Sequence, residues 1–351
     1  MEPITQKRMY LHLTKKCNTN CSYCYRKFLE KSTDIPEDMT YEVAIDAINF
    51  MYQNFDIAPH FGINLWGGEP LLKFDLIKRL VTEYPQIGFS TNTNGILINE
   101  EVYKFCVDHS NFTITWSIGN TWEKYGSIEK KINQEYWAAK TIEDIPRNIM
   151  NLTVASRYNK VYEDFKEFHK IGSVGISLAM HVEHKQEDLD DFVEQYFKIL
   201  CSYGLDSKTP AHTSNLWHRE FGATFGLEPE FCATGLLKTF IDTAGNIWSC
   251  DGSFMNQTFG MGNIYTGLDR SSLDYIKELG KDKSKLLKYC EGCEIYGKCP
   301  ENKCLNNNYG TTGDFLKPPK WHCDIQKTLY KTYEKYIAWV KEQRSKNDST
   351  K

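Results

Sequence analysis

The sequence predicts an α/β protein, a partial TIM-like barrel of six βα units, (β/α)6, with a cysteine-rich extension on its C-terminal side. Three observations carry that expectation. Strand-like and helix-like segments alternate through about the first 200 residues, the order that builds parallel sheets from βα units. Clusters of chemistry-bearing residues fall directly after strand-like segments, where α/β folds keep their ligand loops. From about Leu205 the texture changes to Gly, Asn and Cys with few long periodic runs. Such a segment has too little apolar content to fold alone and relies on metal for stability.

Taken in order, residues 8–14 (RMYLHLT) read as a first strand leading straight into CNTNCSYCY. Thr40 then caps a helix whose Ala44, Ala47, Ile48 and Met51 share one face. FGINLW at 61–66 is a second strand, followed by GGEP and a helix from about Asp75. Further strands are expected over 87–91, 112–118, 149–155 and 174–181, with helices between them. After the last of these, Leu189, Phe192, Val193, Tyr196, Phe197 and Leu200 form an apolar stripe that is core packing. A final amphipathic helix over about 325–344 presents Ile325, Leu329, Tyr333, Ile337 and Val340 and is expected to dock on the barrel, with the tail RSKNDSTK frayed. The expected division is therefore 1–204 for the barrel, 205–324 for the cysteine-rich domain and 325–351 for the last helix and tail.

A chain of 351 residues can bury one large core with a smaller appendage. A net charge of −4 without a basic stripe gives nucleic acid no electrostatic footprint. MEPITQKRMY lacks the apolar core of a signal peptide, and no run approaches the roughly 18 apolar residues that span a bilayer. A cytoplasmic protein without nucleic-acid or membrane partners is expected. Twelve cysteines in such a chain read as metal or redox ligands rather than disulfides. Ten of them cluster, while Cys106 and Cys201 stand apart on helix-like segments as small buried hydrophobes.

Cys17, Cys21 and Cys24 share one tight loop, with Tyr23 just before the last. Four thiolates hold a [4Fe–4S] cluster that only carries electrons; three leave one iron open. S-adenosylmethionine (SAM) can chelate that iron through its amino and carboxylate groups while the cluster donates an electron into the sulfonium, giving a 5′-deoxyadenosyl radical. The alternative is a half-built zinc site, since zinc is usually closed by four N or S ligands. In Trp66-Gly67-Gly68-Glu69-Pro70, the glycines let backbone approach a ligand closely. Exposed carbonyls with the Glu69 carboxylate suit a cationic amino group, and a mere turn is the alternative. Ser90, Asn92 and Asn94 in STNTNG offer donors and acceptors to ribose hydroxyls, or else form a polar turn closed by Asn-Gly.

The C-x3-C-x2-C spacing with its aromatic, followed one βα unit later by GGEP, resembles the radical SAM superfamily. The resemblance implies that Gly67, Gly68 and Glu69 hold the methionyl amino group and that the Asn94-Gly95 segment lies beside SAM. It also implies that Ser117 in TWSIG contacts the SAM carboxylate. Relatives often read Ser-hydrophobe-Asp-Gly there with an arginine downstream; this chain has SIGN and a lysine-rich stretch, leaving Lys124, Lys130 and Lys131 as the candidate cations. His181 and His184, at the end of the sixth strand, are candidates for touching adenine, with solvated or core histidines as the alternative.

Cys232, Gly245, Cys250, Cys290, Cys293, Cys299, Cys304 and Cys323 resemble, at their spacings, the SPASM extension of radical SAM enzymes, which carries two auxiliary [4Fe–4S] clusters; one residue is inserted before Cys304. The family pattern implies one cluster within Cys290, Cys293, Cys299 and Cys323, and another on Cys232, Cys250 and Cys304. The second set is one short, so it keeps an open iron or recruits Cys201. A pair of structural zinc sites is the rival for these cysteines. Asp251 follows Cys250, where sulfatase-maturing relatives have an aspartate assigned as proton acceptor; a turn aspartate in CDGS is the alternative.

The resemblance spans about residue 8 to Cys323 and implies oxidative modification of a peptide or protein side chain. Relatives of this layout make thioether or carbon–carbon crosslinks in ribosomal peptides, or oxidise sulfatase cysteine or serine to formylglycine. CPENKCLNNNYGTTGD resembles the peptide-maturase branch. Such maturases often begin with a leader-binding domain, whereas this chain starts at the barrel. A separate leader-binding protein, or none, is expected, and sulfatase maturation stands as runner-up. An external electron donor, flavodoxin or ferredoxin, is expected as a further partner. A non-catalytic iron–sulfur electron-transfer protein and a zinc-stapled interaction module are the readings from other classes.

Overall fold

The computed structural model describes residues 4–21, 23–24, 34–119, 137, 140–141, 144–145, 149–156, 158–170, 172, 174–179, 184–203, 235, 237–282, 285, 288–296, 299 and 304–348. They fall into two compact units. The first draws on Met1–Ile118, Trp122–Met150 and Phe231–Lys285, the second on Gly119–Thr121, Asn151–Glu230 and Leu286–Lys351.

In the first unit, β1 (Thr5–Thr14), β2 (Asp56–Gly67), β3 (Gly88–Thr93) and β4 (Phe112–Gly119) pair in parallel in that order. Helices α1 (Tyr41–Asn54), α2 (Phe74–Glu83) and α3 (Glu100–Asp108) form the crossovers. Their starts are legible chemically. Thr40 and Asn99 cap α1 and α3 by accepting from the Val43 and Val102 amides at 3.3 and 3.1 Å. Leu76, Ile77, Leu80 and Val81 bury one face of α2.

Parallel strands usually read as unbroken apolar runs because both faces are covered; here they alternate. Met9, Leu11, Leu13, Ile63, Leu65, Phe89, Ile114 and Trp116 are buried on the helix-covered face. Tyr10, His12, Asn64, Trp66, Ser90, Asn92, Thr113 and Thr115 occupy the opposite one. The sheet therefore has an apolar back and a largely polar front.

The sequence placed everything after Leu205 in an appendage, yet part of it extends this sheet. β7 (Lys238–Ile241) pairs in parallel with β1 on the side away from β2. β8 (Asn246–Trp248), β9 (Gly260–Asn263) and β10 (Gly267–Leu268) follow antiparallel, and helix α7 (Ser271–Lys281) comes after them in the chain. The order is β10-β9-β8-β7-β1-β2-β3-β4. Phe240 and Ile241 are fully buried, so this segment supplies core that a free-standing module of its composition would lack.

The second unit holds β6 (Val174–Leu178) and, from Asn151 on, β5 (Ile149–Val154), with α4 (Val161–His169) and α5 (Gln186–Tyr203). Leu189, Phe192, Tyr196, Ile199 and Leu200 are the buried stripe of α5, and α9 (Lys320–Asp348) packs along it through this unit. α9 begins five residues before the expected helix, directly after Pro318-Pro319, so Cys323 lies in its first turn. β6 ends at Leu178 rather than 181.

Candidate active site

Three loops meet at the C-terminal ends of β1, β2 and β3. Thr14, fully buried, donates its hydroxyl to Asp38 Oδ1 at 2.6 Å, and Lys15 donates its amide to Glu37 O at 2.9 Å. The returning segment before α1 thus pins the base of the cysteine loop. Burial alone would raise the Asp38 carboxyl; the Thr14 hydroxyl and the Lys73 and Lys16 ammonium groups outweigh it and hold the carboxyl below its ordinary range.

The second loop lies against the same strand end. Gly68 N donates to Thr14 O and Glu69 N to Lys16 O, both at 2.8 Å. A Cβ at Gly68 would sit 1.9 Å from Lys16 O, and one at Gly67, whose φ is +150°, would sit 2.5 Å from Thr14 O. Both glycines are required by this backbone-to-backbone approach. Glu69, expected with a carboxylate free for a ligand, is 1% exposed and already engaged. Oε1 accepts from Leu71 N at 3.1 Å and Thr93 Oγ1 at 2.7 Å, and Oε2 accepts from Asn94 N at 2.9 Å. The carboxylate caps the turn Pro70–Lys73 and ties it to the end of β3.

Asn94 completes the closure. Its Nδ2 donates to Asn18 Oδ1 at 2.7 Å and lies 3.9 Å from Cys17 Sγ, while its Oδ1 accepts from Ile96 N at 3.0 Å. Within the cysteine loop, Cys17 Sγ is 3.2 Å from Thr19 Oγ1, and Cys24 N donates to Cys21 O at 3.1 Å. Cys17, Cys21, Tyr23 and Cys24 are all half-buried, and none of the described cysteines is in a disulfide. Among the described residues no three His, Cys, Asp or Glu side chains converge into a ready-made metal site. The donor set of three thiols and the glycine cradle beside it nevertheless fit an iron–sulfur cluster with one open iron.

The sequence-predicted residues separate by depth. Asn92 is exposed near the loops, Ser117 on β4 is half-buried, and Ser90 sits lower, accepting from Asn64 Nδ2 at 3.2 Å. His181, Lys124, Lys130, Lys131 and Cys232 lie outside the described residues. His184 is a core residue of the second unit. It is 6% exposed, with Nδ1 2.7 Å from the Tyr158 hydroxyl and Nε2 3.0 Å from Ala179 O. Since a carbonyl only accepts, Nε2 carries the proton and Tyr158 donates to Nδ1.

Two features escaped the sequence reading. His12, buried on β1, packs at a tilt among Phe254, Phe240 and Trp66 with ring centroids 5.1, 5.8 and 5.8 Å away. Asp242, also buried, accepts from Ala244 N, Asn246 N, Asn246 Nδ2 and Trp248 Nε1 at 2.9–3.0 Å. It builds the turn around Gly245, φ +79°, that leads to Cys250. Polar residues at alternate positions of otherwise apolar runs were the available signal. Cys250 caps α6 (Asp251–Asn256) by accepting from Ser253 N at 3.3 Å, which leaves Asp251 exposed as the first helical residue.

In the second unit, burial pushes the Cys323 thiol up, and the neighbouring Cys290 and Cys293 push it further, so these three lie within electrostatic reach of one another. Cys299 N donates to Ile295 O at 3.2 Å, closing the turn that starts at Cys290. Cys304 precedes α8 (Leu305–Thr312), whose Asn306, Asn307 and Asn308 are buried.

A parallel α/β sheet whose strand-end loops close over a thiol-bearing segment defines a cofactor-dependent enzyme of the barrel type. Over residues 11–145 the chain matches the family model described as the Radical SAM superfamily. It is 25% identical over 352 aligned residues to the radical SAM cyclopropyl synthase TigE of Paramaledivibacter caminithermalis, covering 92% of this chain and 73% of TigE. Native anSMEcpe with bound AdoMet shares the fold at a TM-score of 0.70 and 17% identity, covering 95% of this chain and 99% of that one. SuiB of Streptococcus suis, solved with its precursor peptide SuiA, shares it at 0.62 and 16%, covering 90% and 76%. Among the described residues no helix is long and apolar enough to cross a membrane.

Proposed function

We propose that this enzyme reductively cleaves SAM at a [4Fe–4S] cluster held by Cys17, Cys21 and Cys24 and oxidatively modifies a side chain of a peptide or protein. The observation that carries the reading is the closure of the GGEP and TNTNG loops onto the cysteine loop through Gly68, Glu69 and Asn94. When bound, the cluster with SAM supplies one-electron cleavage of the sulfonium and a 5′-deoxyadenosyl radical. The backbone of Gly67 and Gly68 presents carbonyls to the methionyl ammonium, and Glu69 holds that backbone in place from behind. Asn92 and Ser117 offer an amide and a hydroxyl to ribose and carboxylate. Cys290, Cys293, Cys299 and Cys323 would hold one auxiliary cluster, and Cys232, Cys250 and Cys304 another, and such clusters would supply a one-electron acceptor. Asp251 takes up the accompanying proton.

The name of TigE, a cyclopropyl synthase, favours carbon–carbon bond formation over formylglycine formation. Anaerobic incubation of the reconstituted protein with SAM and dithionite is expected to release 5′-deoxyadenosine, and Cys17→Ala to release none. Equal yields from both, or none from the parent, refute the reading. With a peptide substrate, the product is expected to lose about two hydrogens in mass.

A further inference from the structure

Below the loops, the front of the first unit's sheet presents a row of four register partners: Tyr10 on β1, Asn64 on β2, Ser90 on β3 and Thr113 on β4. Asn64 stands three residues before Gly67, roughly 10 Å deeper along the strand. Phe240 is the register partner of Tyr10 on the other side. None of these five side chains carries a charge. Asn64 is 7% exposed, and its Nδ2 is committed to Ser90 Oγ at 3.2 Å. Its Oδ1 is buried and has no hydrogen-bond partner among the described residues. A buried carbonyl oxygen left without a donor is a cost to the fold with no return in the ligand-free protein.

From this arrangement we infer a peptide-group subsite: Asn64 Oδ1 accepts the N–H of a substrate backbone amide, and the Ser90 hydroxyl donates to the adjoining carbonyl. The inference rests on the reading of the enzyme as a peptide modifier and deepens it to the substrate's recognition chemistry. Asn64 holds Ser90 as an acceptor, which leaves the Ser90 proton to give. An acceptor and a donor then stand side by side, the complement of a peptide unit. Tyr10, half-buried and backed by Phe240, flanks the pair with ring surface for a neighbouring side chain. A phosphorylated ligand would bring charge against an uncharged wall and leave it unpaired. The depth also suits a substrate, because the cofactor loops occupy the strand ends above.

Saturation-transfer NMR with N-acetylglycine N-methylamide tests this, comparing the full chain with Asn64→Leu and Ser90→Ala, and using the fully N-methylated analogue as control. The amide probe is expected to bind about tenfold more weakly to Asn64→Leu and several-fold more weakly to Ser90→Ala, while the control binds all three alike. Equal binding of the amide probe overturns the proposal. Thermal unfolding supplies an independent readout. An Asn64 kept for a ligand leaves the midpoint of Asn64→Leu unchanged or higher; a fall of several degrees, or failure to fold, assigns Asn64 to the fold and overturns the proposal too. Lack of deoxyadenosine release by the parent protein defeats the reaction while leaving amide binding readable by itself.

Discussion

Adding one methyl group at Gly68 should do more damage than its size suggests. The methyl of Gly68→Ala meets Lys16 O at 1.9 Å, Lys16 C at 2.5 Å and Lys15 O at 3.1 Å, all backbone atoms, so no flexible side chain can yield. Restoring ordinary contact at 3.4 Å means parting the two loops by more than about 1 Å, which takes bonds that start at 2.8 Å beyond useful hydrogen-bonding range. Two lost bonds at about 1 kcal/mol each, with about 1–3 kcal/mol for overpacking, give a loss of about 3–5 kcal/mol. Urea unfolding followed by circular dichroism measures it, alongside iron bound per chain after reconstitution. Gly88→Ala is the control, since a Cβ there has nothing within 4 Å. If Gly68→Ala matches Gly88→Ala in midpoint and iron content, the reasoning about this clamp is wrong.

Asp242→Ala removes a buried acceptor shared by four donors and is expected to cost about 3–5 kcal/mol, read as a lower urea midpoint. Because the Asp242 turn leads directly to Cys250, iron retention should fall with it. The Tyr158–His184 pair predicts an acid-sensitive second unit. Burial holds the His184 imidazole below its ordinary value, against smaller upward pulls from Ala179 O and Asp188. The unfolded chain therefore takes up this proton first. The stabilisation is fully present above about pH 6.5 and is lost as pH falls from there through the depressed folded value. Tyr158, pushed up to about 12 by burial, remains a donor throughout. Unfolding midpoints between about pH 7.5 and 5 should fall less steeply for His184→Gln than for the parent, and identical slopes would count against the assignment.

What was legible in the sequence follows from how local each signal is. Thr40, the alternating runs and the α5 stripe are encoded within a few residues, and the corresponding elements appear with shifted ends. GGEP and the cysteine loop were legible as motifs, but the reason for Gly68 was not. It lies in Lys16, 52 residues earlier, which only the fold brings into contact. Glu69 looked like a ligand and is a strut, because its partners Thr93 and Asn94 come from another strand. The four residues of β7 are too few to show a period, so their pairing with β1 was invisible. His184 was left open between adenine and core, and Tyr158, on a different element, places it in the core.

The insertion of β7 beside β1 has a consequence for biogenesis. Arg8, Met9, Tyr10 and Leu11 receive their second neighbour only from residues 238–241, so β1 keeps a bare flank in the nascent chain until those residues have been translated. Bare flanks of this kind invite stray pairing, and contacts so distant in sequence form slowly. Expression of fragments ending before Lys238 should yield insoluble material, and production of the whole chain should benefit from slower synthesis or chaperone supply.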